Sequence, residues 1–187
     1  MWGCSHSTEK YMEHLVLNSL DKEGRYREIL PQVEGIISCE YDLVANLANV
    51  AAILKEAFDF FWVGFYIVKP QSESDFEEDL VLGPFQGPLA CTRIKYGRGV
   101  CGTAWKEVRT IIVPDVEKFP GHIACSSHSR SEIVVPIFKA YDNTLCLAEG
   151  SSRIAAVLDI DSKELSAFDE IDAKYLEMLA VVLSGRF

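Results

Sequence analysis

The chain has 187 residues, 49% of them hydrophobic and 25% charged, with a formal net charge of −10. That length buries one substantial core rather than two, so a single domain over 1–187 is expected. The 18 Lys and Arg are scattered among 28 Asp and Glu, which makes the electrostatics of nucleic-acid binding repulsive and sets DNA and RNA aside as partners.

The first twenty residues intersperse His6, Glu9, Lys10, Glu13 and His14 with apolar ones, which leaves no signal-peptide core. No run elsewhere reaches transmembrane length, so no membrane partner is expected. The chain also lacks an Asn-x-Ser/Thr acceptor, and together these features predict a cytoplasmic protein. Structural disulfides are rare in that compartment. The six cysteines (Cys4, Cys39, Cys91, Cys101, Cys125, Cys146) therefore read as buried hydrophobes, metal ligands or catalytic thiols.

In chain order, a helix is expected over 7–20, followed by a shorter helical segment broken by Pro31. Asp42 is placed to cap a second helix, on which Leu43, Leu47, Val50, Leu54 and Phe58 recur at three and four to form one buried face. Residues 1–41 thus read as a helical extension of a core over 42–187. Residues 60–68 are aromatic and β-branched with Gly64 inside, the pattern of a central strand approached closely by a backbone or ligand. Strands at 79–85 and 90–96, turned at Gly87-Pro88, predict an antiparallel hairpin. Further strands at 110–113, 133–138 and 154–161 make about six. The last helix is expected to begin at Ser166, with Asp169 and Glu170 in its first turn and Phe168, Ile171, Tyr175, Met178, Leu179 and Val182 on one face. This order argues for α+β, one antiparallel sheet with the helices gathered on one face. The 140–153 connection is too long for a tight turn and carries Leu145-Cys146-Leu147-Ala148.

Gly97-Arg98-Gly99-Val100-Cys101-Gly102 matches the dinucleotide fingerprint by letter. Only about eight residues separate it from the next strand, too few for a crossover helix, so a turn opening a short helix is the better reading. That turn places Cys101 at a helix start, where backbone N–H groups would favour the thiolate and lower its pKa.

Cys91, Cys101 and Cys125 fall between positions 91 and 125 without a C-x-x-C pair, a spacing that points to redox chemistry rather than a zinc knuckle. Cys125 lies in a loop of small residues between His122 and His128 and is the best nucleophile candidate. A zinc site from His122, Cys125, His128 and one of Cys91 or Cys101 is the rival, weakened by the missing C-x-x-C. Glu132 opens the strand after this loop. Asp159 and Asp161, two apart on a strand, share a face. Three such acids can receive an ammonium group, and crowding raises their pKa values so that one remains a proton donor. The alternative is that the two aspartates mark a solvated strand end. Trp62 and Tyr66, four apart on the first strand, could wall the same pocket, or serve as plain core.

Seven blocks in order, Trp62-Val63-Gly64-Phe65-Tyr66, Leu82-Gly83-Pro84-Phe85-Gln86-Gly87, Gly99-Val100-Cys101-Gly102, Val113-Pro114-Asp115-Val116, Pro120-Gly121-His122-Ile123-Ala124-Cys125, Ser131-Glu132-Ile133-Val134-Val135-Pro136 and Leu158-Asp159-Ile160-Asp161-Ser162, resemble the GAF-domain free methionine-R-sulfoxide reductases. The resemblance implies a GAF-like fold with six antiparallel strands and flanking helices. It also implies reduction of free methionine (R)-sulfoxide, regeneration by thioredoxin as external thiol reductant, no metal or organic cofactor, and compatibility with a homodimer. By motif position Cys125 matches the attacking thiol, Cys91 its resolving partner and Cys101 a third redox thiol, the choice of primary nucleophile between Cys125 and Cys101 staying open. Glu132, Asp159 and Asp161 match the substrate-binding acids, and Trp62 the aromatic that contacts the substrate methyl group. The 140–153 connection and Ser126-Ser127-His128 depart from the family's pattern. Two other classes compete: a GAF module that senses a small molecule, and a redox switch without turnover.

Overall fold

The structure, a computed structural model, describes residues 15–71, 77–122, 127–140 and 153–187. Helices α1 (Lys22–Cys39) and α2 (Leu43–Phe58) lead into strands β1 (Trp62–Pro70), β2 (Glu78–Gln86) and β3 (Arg93–Lys95). Helix α3 (Gly99–Glu107), strand β4 (Ile111–Val113), a short 3-10 turn, strands β5 (Ser131–Phe138) and β6 (Ile154–Ser162), and helix α4 (Glu170–Ser184) follow. The six strands form one sheet in the order β3-β2-β1-β6-β5-β4, with every neighbouring pair antiparallel. The fold is therefore α+β, as the pattern of elements predicted.

The helices do not gather on one face. Buried residues of α1, α2 and α4 cover Val63, Phe65, Ile133, Val135, Ile137, Ala156, Leu158 and Ile160. Helix α3 covers the opposite face through Val100, Cys101, Ala104 and Trp105, against Trp62, Tyr66, Val134 and Val157. Successive strand residues point to opposite faces, so an antiparallel sheet that is apolar on both needs cover on both. A helix as short as α3 has too few turns to announce its buried side by periodicity.

Local chemistry sets the helix ends. The Asp42 carboxylate accepts from Ala45 N–H at 2.9 Å and starts α2 where the sequence placed it. Helix α1 starts at Asp21, which accepts from Gly24 N–H. Residues 15–20 of the expected 7–20 helix are irregular, and its remainder lies outside the described residues. Pro31 sits inside α1 without ending it. Ile29, Leu30, Val33 and Ile37 around it are buried, and that packing outweighs the lost hydrogen bond of an interior proline. Helix α4 starts at Glu170 rather than Ser166, because Asp169 and Asp172 form a capping box there. Its buried face runs through Tyr175, Leu176, Leu179 and Leu183, with Ile171 and Met178 left exposed. Strand β3 is only three residues long, so Cys91 lies before the strand rather than on it.

Asp172 is buried inside the helical layer, where an unpaired charge would be heavily penalised. Lys22 Nζ reaches it at 2.5 Å and the Tyr26 hydroxyl donates to it at 2.9 Å. Burial first, and then the Asp172 charge, push the Tyr26 pKa far up, so that hydroxyl stays a donor. Tyr26 also stacks on Tyr175, with ring centroids 5.3 Å apart. These contacts clasp α1 to α4. Residues 141–152 of the long connection lie outside the described residues, and its ends are joined by Lys139 N–H to the Arg153 carbonyl at 3.0 Å.

Candidate active site

Strand register builds the site. Trp62 pairs with Asp161 across β1 and β6, Glu132 pairs with Asp161 across β5 and β6, and Asp159 lies between Gly64 and Val134. Paired residues of adjacent strands share a face, so Trp62, Glu132, Asp159 and Asp161 converge on the α3 side. The cavity there encloses about 580 Å³ of free space, its open mouth included, and is lined by Trp62, Tyr66, Cys101, Glu132, Asp159 and Asp161 among others. Six of the eight expected site residues are thus in one place. Cys91 is not among the lining residues; it is half-buried beside Ala90, which is, and its carbonyl accepts from the Tyr66 hydroxyl at 3.0 Å. Cys125, together with the loop 123–126, lies outside the described residues.

Trp62 is held rigidly. Its indole N–H donates to the Pro88 carbonyl at 3.1 Å, and its ring stacks with Phe85 and Tyr66 at centroid distances of 5.4 and 6.0 Å. A Cβ on Gly64 would lie 2.6 Å from Trp62 Cη2, and one on Gly87 2.6 Å from Trp62 Cδ1. The close approach read from Gly64 is therefore that of its cross-strand partner Phe85, whose Cβ and backbone Cα would lie 2.4 and 3.0 Å from such a Cβ, together with the indole.

The acids are not a solvated strand end. Glu132 and Asp159 are 5% and 7% exposed, and desolvation with mutual repulsion lifts both well above the usual carboxylate range. Asp161 is pushed up to about 6 by burial, against the opposing hydrogen bond from Ser129. The sequence reading predicted this crowding. Its expectation for Cys101 is reversed. Cys101 does sit in the first turn of α3, but burial, followed by the charges of Asp159 and Glu132, raises its pKa well above the ordinary thiol value. Desolvation and two carboxylates outweigh a helix end, whose effect is about 0.3–1 kcal/mol. The thiol is hydrogen-bonded to Asp159.

Among the lining residues that the sequence did not mark as site members, two carry polar side chains, Ser129 and Arg98. Ser129, buried, donates its hydroxyl to Asp161 Oδ1; its only sequence signal is a position shortly before Glu132. His122, considered there as a zinc ligand, lines the cavity with Nε2 4.0 Å from Glu132 Oε2, and burial lowers its pKa. Ligand atoms of Cys101, Glu132 and Asp159 lie within 4.8 Å of one another, close enough to share a metal ion. In the structure the same three are linked by hydrogen bonds through Asp159. Among the described residues neither His122 nor His128 joins such a group.

A cavity with an aromatic wall, a floor of protonatable carboxyls and a thiol suits a small cationic or zwitterionic guest and redox chemistry at sulfur. The GAF domain model matches residues 42–186. The chain is 55% identical to GAF domain-containing protein A of Dictyostelium discoideum, covering 92% of this chain and 99% of that protein. It is 39% identical to the free methionine-R-sulfoxide reductase of Saccharomyces cerevisiae, over 89% and 88% of the two chains. Its structure is similar to that of the free methionine-R-sulfoxide reductase from Neisseria meningitidis in complex with its substrate, at 54% identity and a TM-score of 0.83, covering 94% and 96%. Matches of this extent and identity mean that the chain belongs to the family of GAF-domain free methionine-R-sulfoxide reductases.

Proposed function

We propose that the protein reduces free methionine (R)-sulfoxide to methionine, with cysteine thiols as the reductant and no prosthetic cofactor. The observation that carries this reading is the convergence of Trp62, Tyr66, Cys101, Glu132, Asp159 and Asp161 on one cavity. An enzyme of that name, similar over nearly the whole chain, binds its substrate on the same fold.

The raised pKa values of Glu132 and Asp159 favour their protonated forms. A substrate ammonium entering beside them replaces that neutralisation, since a nearby cation favours the carboxylate. The aromatic wall of Trp62 and Tyr66 packs the methyl-bearing end. A thiolate attacks the sulfoxide sulfur while a protonated carboxyl of the trio supplies a proton to the oxygen. The S–O bond breaks and methionine leaves reduced, with the oxygen now carried as a cysteine sulfenic acid. A second thiol displaces water from it to form a disulfide, which thioredoxin or another external dithiol reduces by exchange. Cys125 is assigned the attack and Cys91 the resolution. Cys101, held as a neutral thiol by burial and the acids, suits a hydrogen-bonding or late redox role better than that of resting nucleophile.

Purified protein given each epimer of free methionine sulfoxide with dithiothreitol should form methionine from the R epimer alone. Cys125→Ser should abolish turnover, and Cys91→Ser should retain dithiothreitol-driven activity while losing cycling with thioredoxin. Binding without turnover of either epimer would sink the enzyme reading and leave a sensor. Inactivity confined to Cys101→Ser would transfer the attack to Cys101.

A further inference from the structure

Cys101, Glu132 and Asp159 are 4%, 5% and 7% exposed, and one ligand atom of each, a sulfur and two carboxylate oxygens, lies within 4.8 Å of the other two. Strands β5 and β6 bring the acids together, since Glu132 pairs with Asp161 and Val134 with Asp159, and the first turn of α3 sets the thiol beside them. Asp159 Oδ1 is buried, has no hydrogen-bond partner among the described residues and belongs to a residue lining the cavity. A buried acceptor calls for a donor or a cation.

The thiol selects among cations. Magnesium and calcium take oxygen ligands, whereas zinc accepts sulfur and carboxylate oxygen together. Ligands about 2.0–2.3 Å from a zinc ion stand roughly 3.3–3.8 Å apart in a tetrahedron, so side-chain shifts of about an ångström close these three around one ion. Asp161 stays outside the set, its carboxylate already accepting from the Ser129 hydroxyl. The fourth position is left for water, as in zinc sites that exchange a ligand. Binding sends the thiol proton and any carboxyl protons to solvent, leaving one thiolate and two carboxylates to offset the two positive charges.

We propose that Cys101, Glu132 and Asp159 of the reduced protein bind zinc or another borderline-soft divalent cation, and that the bound ion shuts out the substrate. The binding rests on the cavity alone. The inhibition rests on the reductase reading, in which the same acids receive the substrate ammonium and one of the trio supplies a proton. An ion held by Glu132 and Asp159 keeps both ionised and occupied, so it competes with substrate and is an inhibitor of the reaction rather than a cofactor for it.

The test titrates the full chain, reduced and then freed of reductant, with cadmium, whose bonds to thiolate absorb in the ultraviolet, and with zinc against a chromophoric chelator. The first equivalent should give a thiolate band in wild type that Cys101→Ser loses, and Asp159→Asn should weaken the affinity at least about tenfold. Glu132→Gln serves as a second carboxyl variant should Asp159→Asn fail to fold. Cys39→Ser, Cys91→Ser and Cys125→Ser should keep the band, and about a hundredfold excess of magnesium should not displace it. A band that survives Cys101→Ser, or undiminished affinity in both carboxyl variants, would overturn the site. A single turnover of free methionine (R)-sulfoxide, run without an external thiol that would chelate the ion, should slow at least about tenfold with zinc, recover with EDTA and need more zinc as substrate rises. Full turnover with the ion bound at Cys101 would overturn the inhibition. A protein inactive even without zinc, with the cadmium band at Cys101 intact, would end the reductase reading and keep the metal site.

Discussion

Strand β6 shows the two faces of the sheet within nine residues. Ala156, Leu158 and Ile160 point into the layer of α1, α2 and α4 and are fully buried, whereas their alternates Asp159 and Asp161 point under α3 with raised pKa values. The first face gains stability by burying apolar area. The second holds groups that would be more comfortable in water, and the apolar face offsets that cost. Stability and chemistry are separated here by a single step along the chain, because a strand alternates sides at every residue.

The sharpest way to break this comparison is to alter one side only. Asp159→Asn should lower kcat/KM by about a hundredfold or more while leaving the urea midpoint at neutral pH unchanged or higher, since a buried carboxyl with a raised pKa opposes folding when ionised. A loss of stability in step with the loss of activity would show that the acid is structural. Leu158→Ala, its neighbour on the other face, should do the reverse. Removing a fully buried leucine side chain should cost about 3 kcal/mol in urea unfolding, with kcat/KM per folded molecule retained.

The alternation is legible in the sequence alone. Asp159 and Asp161 sit two apart on an apolar strand, Glu132 opens the preceding strand, and Trp62 and Tyr66 lie four apart on a third. Period two alone sends each set to one side. Tertiary burial was not legible. The helix-start position of Cys101 argued for a thiolate, and only the packing of α3 onto the acids shows that desolvation wins. Pro31 looked like a break because its cost is local, while the burial of Val33 and Ile37 that overrides it is long-range. Ser129 carries no signal beyond its place shortly before Glu132, since its contact with Asp161 is a hydrogen bond between residues 32 apart in sequence.

A finer probe of the chemical face is its pH dependence. Asp161 has a folded pKa of about 6 against an ordinary value of 3.8, so folding favours its protonated form. The resulting stability is present in full below about pH 4 and is lost as pH rises through about 6. Asp161→Asn should flatten the slope of urea midpoint against pH across that window, and an unaltered slope would place the titration elsewhere. The smallest effect belongs to Ser129→Ala. The hydroxyl lowers the Asp161 pKa by donating to the ionised form. Its removal should shift the pH profile of KM for methionine (R)-sulfoxide upward by less than about one unit, while a downward shift would contradict the direction of that hydrogen bond.

Asp172 belongs to the stretch matched as GAF domain, whereas Lys22 and Tyr26, which neutralise and satisfy it, precede that stretch. A fragment begun at residue 42 would strand this carboxyl in an apolar helical layer and bare the surface that Ile29, Val33 and Ile37 now cover. The smallest autonomous version of this protein is therefore expected to be longer than the 42–186 stretch matched as GAF domain, and trimming it to that stretch should yield an insoluble or partly unfolded product.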